Sequence, residues 1–371
     1  MSLQALYVGI GLYRSEEYDS LPSVNAATQL AQLLSKNEDG SPQWPAPDGP
    51  QGPVLLTSEG GRKVDETALG EAFDDLLTSS ESEHVLFYFA GHGRLAKRKG
   101  RRRDLLLAAW DDDPGDPSAG KGLWASDMMA AIKSKHPTSA TVILDCCHAG
   151  QAARGWGNSD PGIVLLAGAE ADQDAISDPD PELPNFSRFL LEGLEAGAGD
   201  VQGRVTPMSL YTYVAGIMNA QKDGHVPVFK GEVQNQVTLR KVRATLSRID
   251  LERLARTVVI DGEKVEPGFE GPDEKVAAEP AWETTDSTYH PPLSRSPDLD
   301  AAHMTAEQKL MEYYNRLIRA GLATTTDNKY LFWTVMASID DPGKHHGVQL
   351  TPLGRYYWEL SYRQQIGRFG D

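Results

Sequence analysis

The stretch "TVILDCCHAG", residues 141–150, places the only two cysteines of the chain side by side at the end of a β-branched apolar run. Val, Ile and Leu in unbroken series read as a strand buried on both faces. Asp145, Cys146, Cys147 and His148 therefore stand where a strand gives way to a loop. A second stretch, "HVLFYFAGHG" at residues 84–93, has the same form and ends in Gly91, His92 and Gly93. In a parallel α/β sheet every strand delivers its C-terminal loop to one edge, where ligand sites gather. If the two strands are neighbours, His92 and a cysteine project from the same rim, as a thiol nucleophile and its base require. Glycines on both sides of His92 let the backbone approach a bound chain and leave an amide available.

Strand-like and helix-like segments alternate around these runs. Apolar runs at 6–12, 54–56, 104–110 and 162–169 read as strands. Residues 24–36, 66–77, 123–134, 186–197 and 207–220 read as helices. The pattern predicts an α/β fold with a mostly parallel sheet covered by helices on both faces. From about residue 263 the composition turns to Glu, Asp, Pro, Ser and Thr with little periodicity, as in a linker. Beyond it, helices at 305–322 and 350–363 flank a strand at 329–335, which fits a small winged-helix-like α+β domain. The expected division is 1–245, a linker at 246–300, and a C-terminal domain at 301–371.

The chain has 371 residues and a net charge of −17, which argues against general nucleic-acid or anionic-membrane binding. The charge is unevenly spread, because residues 261–300 hold eleven acidic against three basic residues. Residues 305–371, with eight basic and seven acidic residues, lack the positive excess of a phosphate-tracking surface. A protein-docking role for that part is expected, with Tyr356, Tyr357 and Trp358 supplying core and contact area. No run has the length of a transmembrane helix, and the N-terminus lacks a signal-peptide pattern. Adjacent cysteines make a poor disulfide, so a reduced cytoplasmic protein is the expectation.

Together, "FYFAGHG" and "ILDCCHAG" resemble the caspase-like cysteine peptidases, most closely the metacaspase-type and bacterial caspase-homologue branch. That branch shows an apolar strand ending in S-G-H-G and another ending in D-[SC]-C-H-[SA]-G. The similarity spans about residues 3–230, and the histidine and cysteine stand 55 residues apart in the expected order. By position, the resemblance makes Cys147 the nucleophile and His92 the catalytic histidine, while His148 is not the base. It assigns the oxyanion hole to the backbone amides of Gly93 and Cys147, and Cys146 to a packed neighbour. It matches Asp145 to the carboxylate that selects Arg or Lys before the scissile bond. Two departures reduce the acidity of that pocket: Asn25, Ala26 and Ala27 replace Asn-Asp-Ala, and Ala90 replaces the Ser before Gly-His. The resemblance implies a protein or peptide substrate, activation by a regulatory partner, and a role in bacterial stress or defence signalling.

Each reading has a plainer competitor. Cys147 as a buried structural thiol and His92 as a turn histidine are outweighed by the pairing of the two motifs. Asp145 as a structural strand-end carboxylate stays open. A zinc site lacks workable ligand spacing, and no cofactor is expected. The turn "DDDPGDP" at 111–117 reads as an acidic turn, with Ca2+ binding as the alternative. The run "KRKGRRR" at 97–103 reads as a solvated loop, a docking patch or a self-cleaved loop. The competing function is a catalytically weak regulatory adaptor acting through its C-terminal module.

Overall fold

The computed structural model describes residues 3–47, 55–78, 84–97, 103–116, 120–135, 137–155, 162–169, 182–220, 227–231, 237–252, 254, 313–314, 316–325 and 348–363. The chain divides into two compact units, Met1–Arg243 and Ala244–Asp371.

The first unit is built on a six-stranded sheet. Its strands in chain order are β1 (Leu3–Gly9), β2 (Leu55–Thr57), β3 (His84–Ala90), β7 (Ser139–Asp145), β8 (Ile163–Ala167) and β10 (Val228–Gly231). They lie in the order β10-β8-β7-β3-β1-β2, and β10 alone runs antiparallel to its neighbour. Every residue of β3 and β7 is buried, as their unbroken apolar composition requires.

Alternate side chains of β3 serve two cores. Val85, Phe87 and Phe89 face α2 (Glu66–Thr78) and α3 (Ala125–Lys135). Leu86, Tyr88 and Ala90 face α1 (Ser23–Leu34), α4 (Asn185–Glu192) and α5 (Pro207–Ala220). Phe73 of α2 meets Phe87 edge to face with centroids 5.1 Å apart. The chain leaves β1 toward β2 on one side and returns at β3 on the other, so the loops after β1 and β3 diverge at a topological switch point.

The apolar run at 104–110 does not join this sheet. It forms β5 (Arg103–Ala108), which pairs antiparallel with β4 (Gly93–Lys97) and β6 (Gly122–Trp124) in a separate three-stranded sheet. Five residues separate β4 from β5, too few for the crossover that a parallel neighbour needs. A two-stranded pair of β9 (Arg204–Val205) and β11 (Arg240–Lys241) completes the unit.

In the second unit Ser247 caps α6 (Arg248–Glu252), its hydroxyl accepting the Asp250 amide at 3.0 Å. This helix falls in the span assigned from composition to the linker. It is tied to residues far along the chain: the Tyr313 hydroxyl donates to the Asp250 carbonyl at 2.9 Å, and Ser361 to that of Glu252 at 2.8 Å. β12 (Ala323–Thr325) pairs antiparallel with β13 (Val348–Leu350), followed by α7 (Pro352–Tyr362). Thr351 caps α7 by accepting the Gly354 amide, and Pro352 occupies the first helical position. The strand expected at 329–335 lies outside the described residues.

Candidate active site

Two adjacent strand ends build the site. β3 and β7 pair in parallel register, with Ala90 opposite Asp145. The ladder extends one step further, where the Gly91 amide donates to the Asp145 carbonyl at 3.3 Å. Counting two residues past the paired positions reaches His92 on one strand and Cys147 on the other. Cys147 is half-buried, whereas Cys146 beside it is buried in the core between the sheet, α2 and α3. Burial pushes the Cys146 thiol well above its ordinary range, reinforced by Cys147 and Asp145, so it stays protonated and unreactive.

His148 follows with φ of 57°, a left-handed conformation uncommon for a residue with a Cβ. This sharp turn lifts the chain out of β7 immediately after Cys147. Gly93 lies across from it: a Cβ there would sit 2.5 Å from the Cys147 carbonyl oxygen and 2.8 Å from the Cys146 sulfur. The Ala108 amide donates to the His92 carbonyl at 3.0 Å, which makes Gly93 and Leu107 a non-hydrogen-bonded pair. The Gly93 amide is thereby directed to the open edge of the small sheet, away from β5.

His92 is gripped by the loop joining β1 to α1. Its Nε2 lies 2.9 Å from the Asp19 carbonyl oxygen. A carbonyl can only accept, so Nε2 carries the proton and Nδ1 of the neutral ring keeps its lone pair. The Tyr18 ring stacks on the imidazole with centroids 4.6 Å apart, and Tyr13 meets it edge-on at 5.0 Å. The Tyr13 hydroxyl accepts the His92 backbone amide at 2.7 Å. Burial under these rings lowers the imidazole below its ordinary range, opposed in part by the Asp19 carbonyl.

Asp112, inside the turn read from sequence as acidic, is enclosed. Its carboxylate takes both Nε and an NH2 of Arg94 at 2.8 and 2.9 Å, the Tyr18 hydroxyl at 2.6 Å and the Lys121 amide at 2.8 Å. Burial pushes its carboxyl up, but these donors outweigh burial and hold it below the usual carboxylate range. Asp111 accepts the Glu66 amide and Lys121 ammonium, and Asp113 the Gly115 amide. Protein donors thus engage the carboxylates of Asp111, Asp112 and Asp113, and among the described residues no group of three His, Cys, Asp or Glu side chains could hold a metal ion. Of the run 97–103, Lys97 ends β4 and Arg103 opens β5; residues 98–102 lie outside the described residues.

Asp145 is buried on the face opposite Cys146, toward α4. One carboxylate oxygen accepts both the amide of Ser187, at 3.2 Å, and its hydroxyl. The Tyr88 hydroxyl lies 2.5 Å from the same serine oxygen. Because the serine hydroxyl proton goes to the carboxylate, Tyr88 donates to the serine. Burial raises the Asp145 carboxyl to about 6, with the Ser187 donors pulling the other way. Among the described residues no Lys or Arg is paired with it. Ala26 and Ala90, the departures noted from sequence, are both buried in that face.

Sequence reasoning missed Tyr13, Tyr18, the Asp19 carbonyl, Arg94 and Ser187. Their contacts at the site span 18 to 94 residues of chain, and some run through backbone atoms, which composition does not reveal.

A sequence model of the caspase domain matches residues 5–253. No curated protein matches the chain. Similar solved structures include caspase-1 from Spodoptera frugiperda, at 11% identity and TM-score 0.44 over 64% of this chain and 92% of that one. Another is a Geobacter sulfurreducens protein, at 13% identity and TM-score 0.44 over 63% of this chain and 94% of that one.

Proposed function

The chain belongs to the caspase-domain family of cysteine peptidases, and on that premise we propose that it is an endopeptidase in which Cys147 attacks and His92 carries the proton. The observation that supports this most directly is the β3–β7 register, which brings His92 and Cys147 to equal steps beyond adjacent strand ends. With Nε2–H committed to the Asp19 carbonyl, Nδ1 takes the Cys147 thiol proton. The sulfur attacks the peptide carbonyl carbon, and the resulting oxyanion is held by the Gly93 and Cys147 amides, worth about 3 kcal/mol per donor. The imidazolium returns its proton to the leaving amine as the C–N bond breaks. Water, deprotonated by His92, then hydrolyses the thioester and restores the thiol.

Substrates with Arg or Lys before the scissile bond are proposed, since such a residue would supply the cationic partner that Asp145 does not find within the described residues. The second unit is proposed as a winged-helix-like protein-docking module through which a partner controls activity, in a cytoplasmic setting. No helix among the described residues is long and apolar enough to cross a membrane.

One observation weighs against the Arg or Lys preference: Asp145 is buried and one of its carboxylate oxygens is taken by Ser187; the competing reading is an adaptor with weak or no cleavage. Fluorogenic Arg, Lys and Asp peptides, with Cys147→Ala as control, separate the two. Cleavage after Arg or Lys that disappears in the variant supports the peptidase. Failure to cut any peptide or candidate protein, with or without co-purified partners, leaves the adaptor.

A further inference from the structure

We propose that Tyr18 is a positioning residue for His92, and that the Asp112–Arg94 ion pair is the anchor through which it acts. This deepens the peptidase reading above and rests on it for the role of His92.

The loop between β1 and α1 is closed at its neck, where the Leu21 amide donates to the Gly11 carbonyl at 3.0 Å and the Gly11 amide to Ser58 at 2.9 Å. One flank is docked by Arg14 on the Trp110 carbonyl. Its tip, Ser15 to Asp19, carries the carbonyl that fixes the imidazole. Asp19 is itself exposed, so packing around its own side chain does not locate that carbonyl. Its neighbour does: the Tyr18 ring lies on the imidazole while its hydroxyl is bonded to Asp112.

Asp112 is a fixed point. Each of its carboxylate oxygens accepts two donors, from Arg94, Lys121 and Tyr18, so its acceptor capacity is filled. Arg94 follows Gly93 in β4 and is two residues from His92. One carboxylate therefore ties β4, the strand that directly follows the histidine, to the loop that orients it. Rotation of the imidazole about its side-chain bonds then requires breaking the stack, the Nε2–H bond, or the Tyr18–Asp112 bond. A histidine base held this way presents Nδ1 in one direction, which is what pre-organised proton transfer needs.

The test uses the full chain and Tyr18→Phe, which keeps the ring and removes only the anchor, with Asp112→Asn as a second route to the same loss. Three readouts are taken beside thermal unfolding. Nitrogen NMR of the imidazole is expected to show one tautomer with a protected Nε2–H in the native chain, and exchange-averaged nitrogens in Tyr18→Phe. The rate of Cys147 alkylation by iodoacetamide at neutral pH is expected to fall roughly tenfold as His92 loses its alignment. On a cleaved peptide, kcat falls by a similar factor with KM unchanged. The NMR and alkylation readouts need no substrate, so they stand even if no peptide is cut, which would count against the peptidase reading alone. A Tyr18→Phe variant that keeps the native tautomer and alkylation rate overturns the proposal, and so does one whose only change is a lower melting temperature.

Discussion

Ser187 reaches Asp145 across 42 residues of sequence and donates both its amide and its hydroxyl to a single carboxylate oxygen. The amide is the third of α4, which begins after Pro184 without a side-chain cap of its own. Asp145 thus caps the helix from another strand, with a negative charge at the favourable end of the helix dipole. Burial opposes that charge and raises the carboxyl to about 6, above the ordinary value of about 3.9. The folded state therefore binds more protons here than the unfolded chain between pH about 4 and about 6, and stability falls as pH rises through that window. Asp145→Asn keeps the shape and removes the titration. Its unfolding free energy relative to the native chain is expected to be higher at pH 7.5 than at pH 4, by a difference on the order of 3 kcal/mol. Equal offsets at the two pH values would show that folding does not raise the Asp145 carboxyl. In peptide assays the same variant loses preference for Arg and Lys if Asp145 faces the substrate.

Strand 84–90 and the ends of 141–145 are legible from sequence because unbroken apolar runs ending in glycine or polar residues admit few other readings. The neighbour relation of the two strands is not legible; it follows from motif order only once a fold is assumed. The run at 104–110 misleads for a physical reason. A buried antiparallel strand and a buried parallel one present the same apolar face, and only the short connection to β4 separates them. The grip on His92 was hidden more deeply, since its key atom is the backbone carbonyl of Asp19, which any residue would supply. Ser187 was hidden because a serine inside an amphipathic helix reads as an exposed position, whereas here it is buried.

Gly93 is required by contact rather than by conformation. A Cβ at this position would meet the Cys147 carbonyl oxygen, a backbone atom that moves only with the turn carrying the nucleophile. Gly93→Ala is expected to cost about 1–3 kcal/mol of stability, as overpacking does. Any cleavage activity should fall by a larger factor than stability alone explains, because the displaced amide belongs to the proposed oxyanion site. Denaturant unfolding and peptide kinetics on one preparation check both; an unperturbed melting point would mean the turn has room the geometry does not show.

The two cysteines should behave as chemically different groups. Cys146 is buried with its thiol pushed upward, and Cys147 is half-buried at the loop. Brief iodoacetamide treatment of the folded chain is expected to add one label, located on Cys147 by peptide mass analysis, and two after unfolding. Cys146→Ala should retain labelling and lose about 1 kcal/mol of stability from the small cavity. Label on Cys146 in the folded chain would contradict the burial on which this assignment depends.

Asp250 holds the second unit's α6 to the segment 316–322 through Arg316, at 2.8 and 3.2 Å. Arg316 is about one-third exposed and Asp250 13% exposed, so solvent screens the pair in part. Asp250→Ala is expected to cost about 1–2 kcal/mol locally. Hydrogen exchange should accelerate over 316–322 and 352–362, while β3 and β7 keep their protection. Unchanged exchange in those segments would mean that α6 is held by its apolar contacts and by the Tyr313 and Ser361 bonds to its backbone, without need of the ion pair.

The pH profile of activity tests the state of His92. Burial holds its imidazole below the ordinary value of about 6.5, so the ring is neutral at pH 7 and able to accept the thiol proton. The unfolded chain binds more protons at this histidine just below pH 6.5. Its contribution to stability is therefore complete above that pH and is lost as pH falls through the folded value. The acidic limb of kcat/KM is expected below 6.5, and Tyr18→Leu, which uncovers the ring, should move it upward by restoring solvent to the imidazolium. Both shifts can be read from one series of peptide assays across pH 4–8 with buffers of constant ionic strength. An acidic limb at or above 6.5 in the native chain would mean that the rings of Tyr13 and Tyr18 do not exclude water from His92 during turnover.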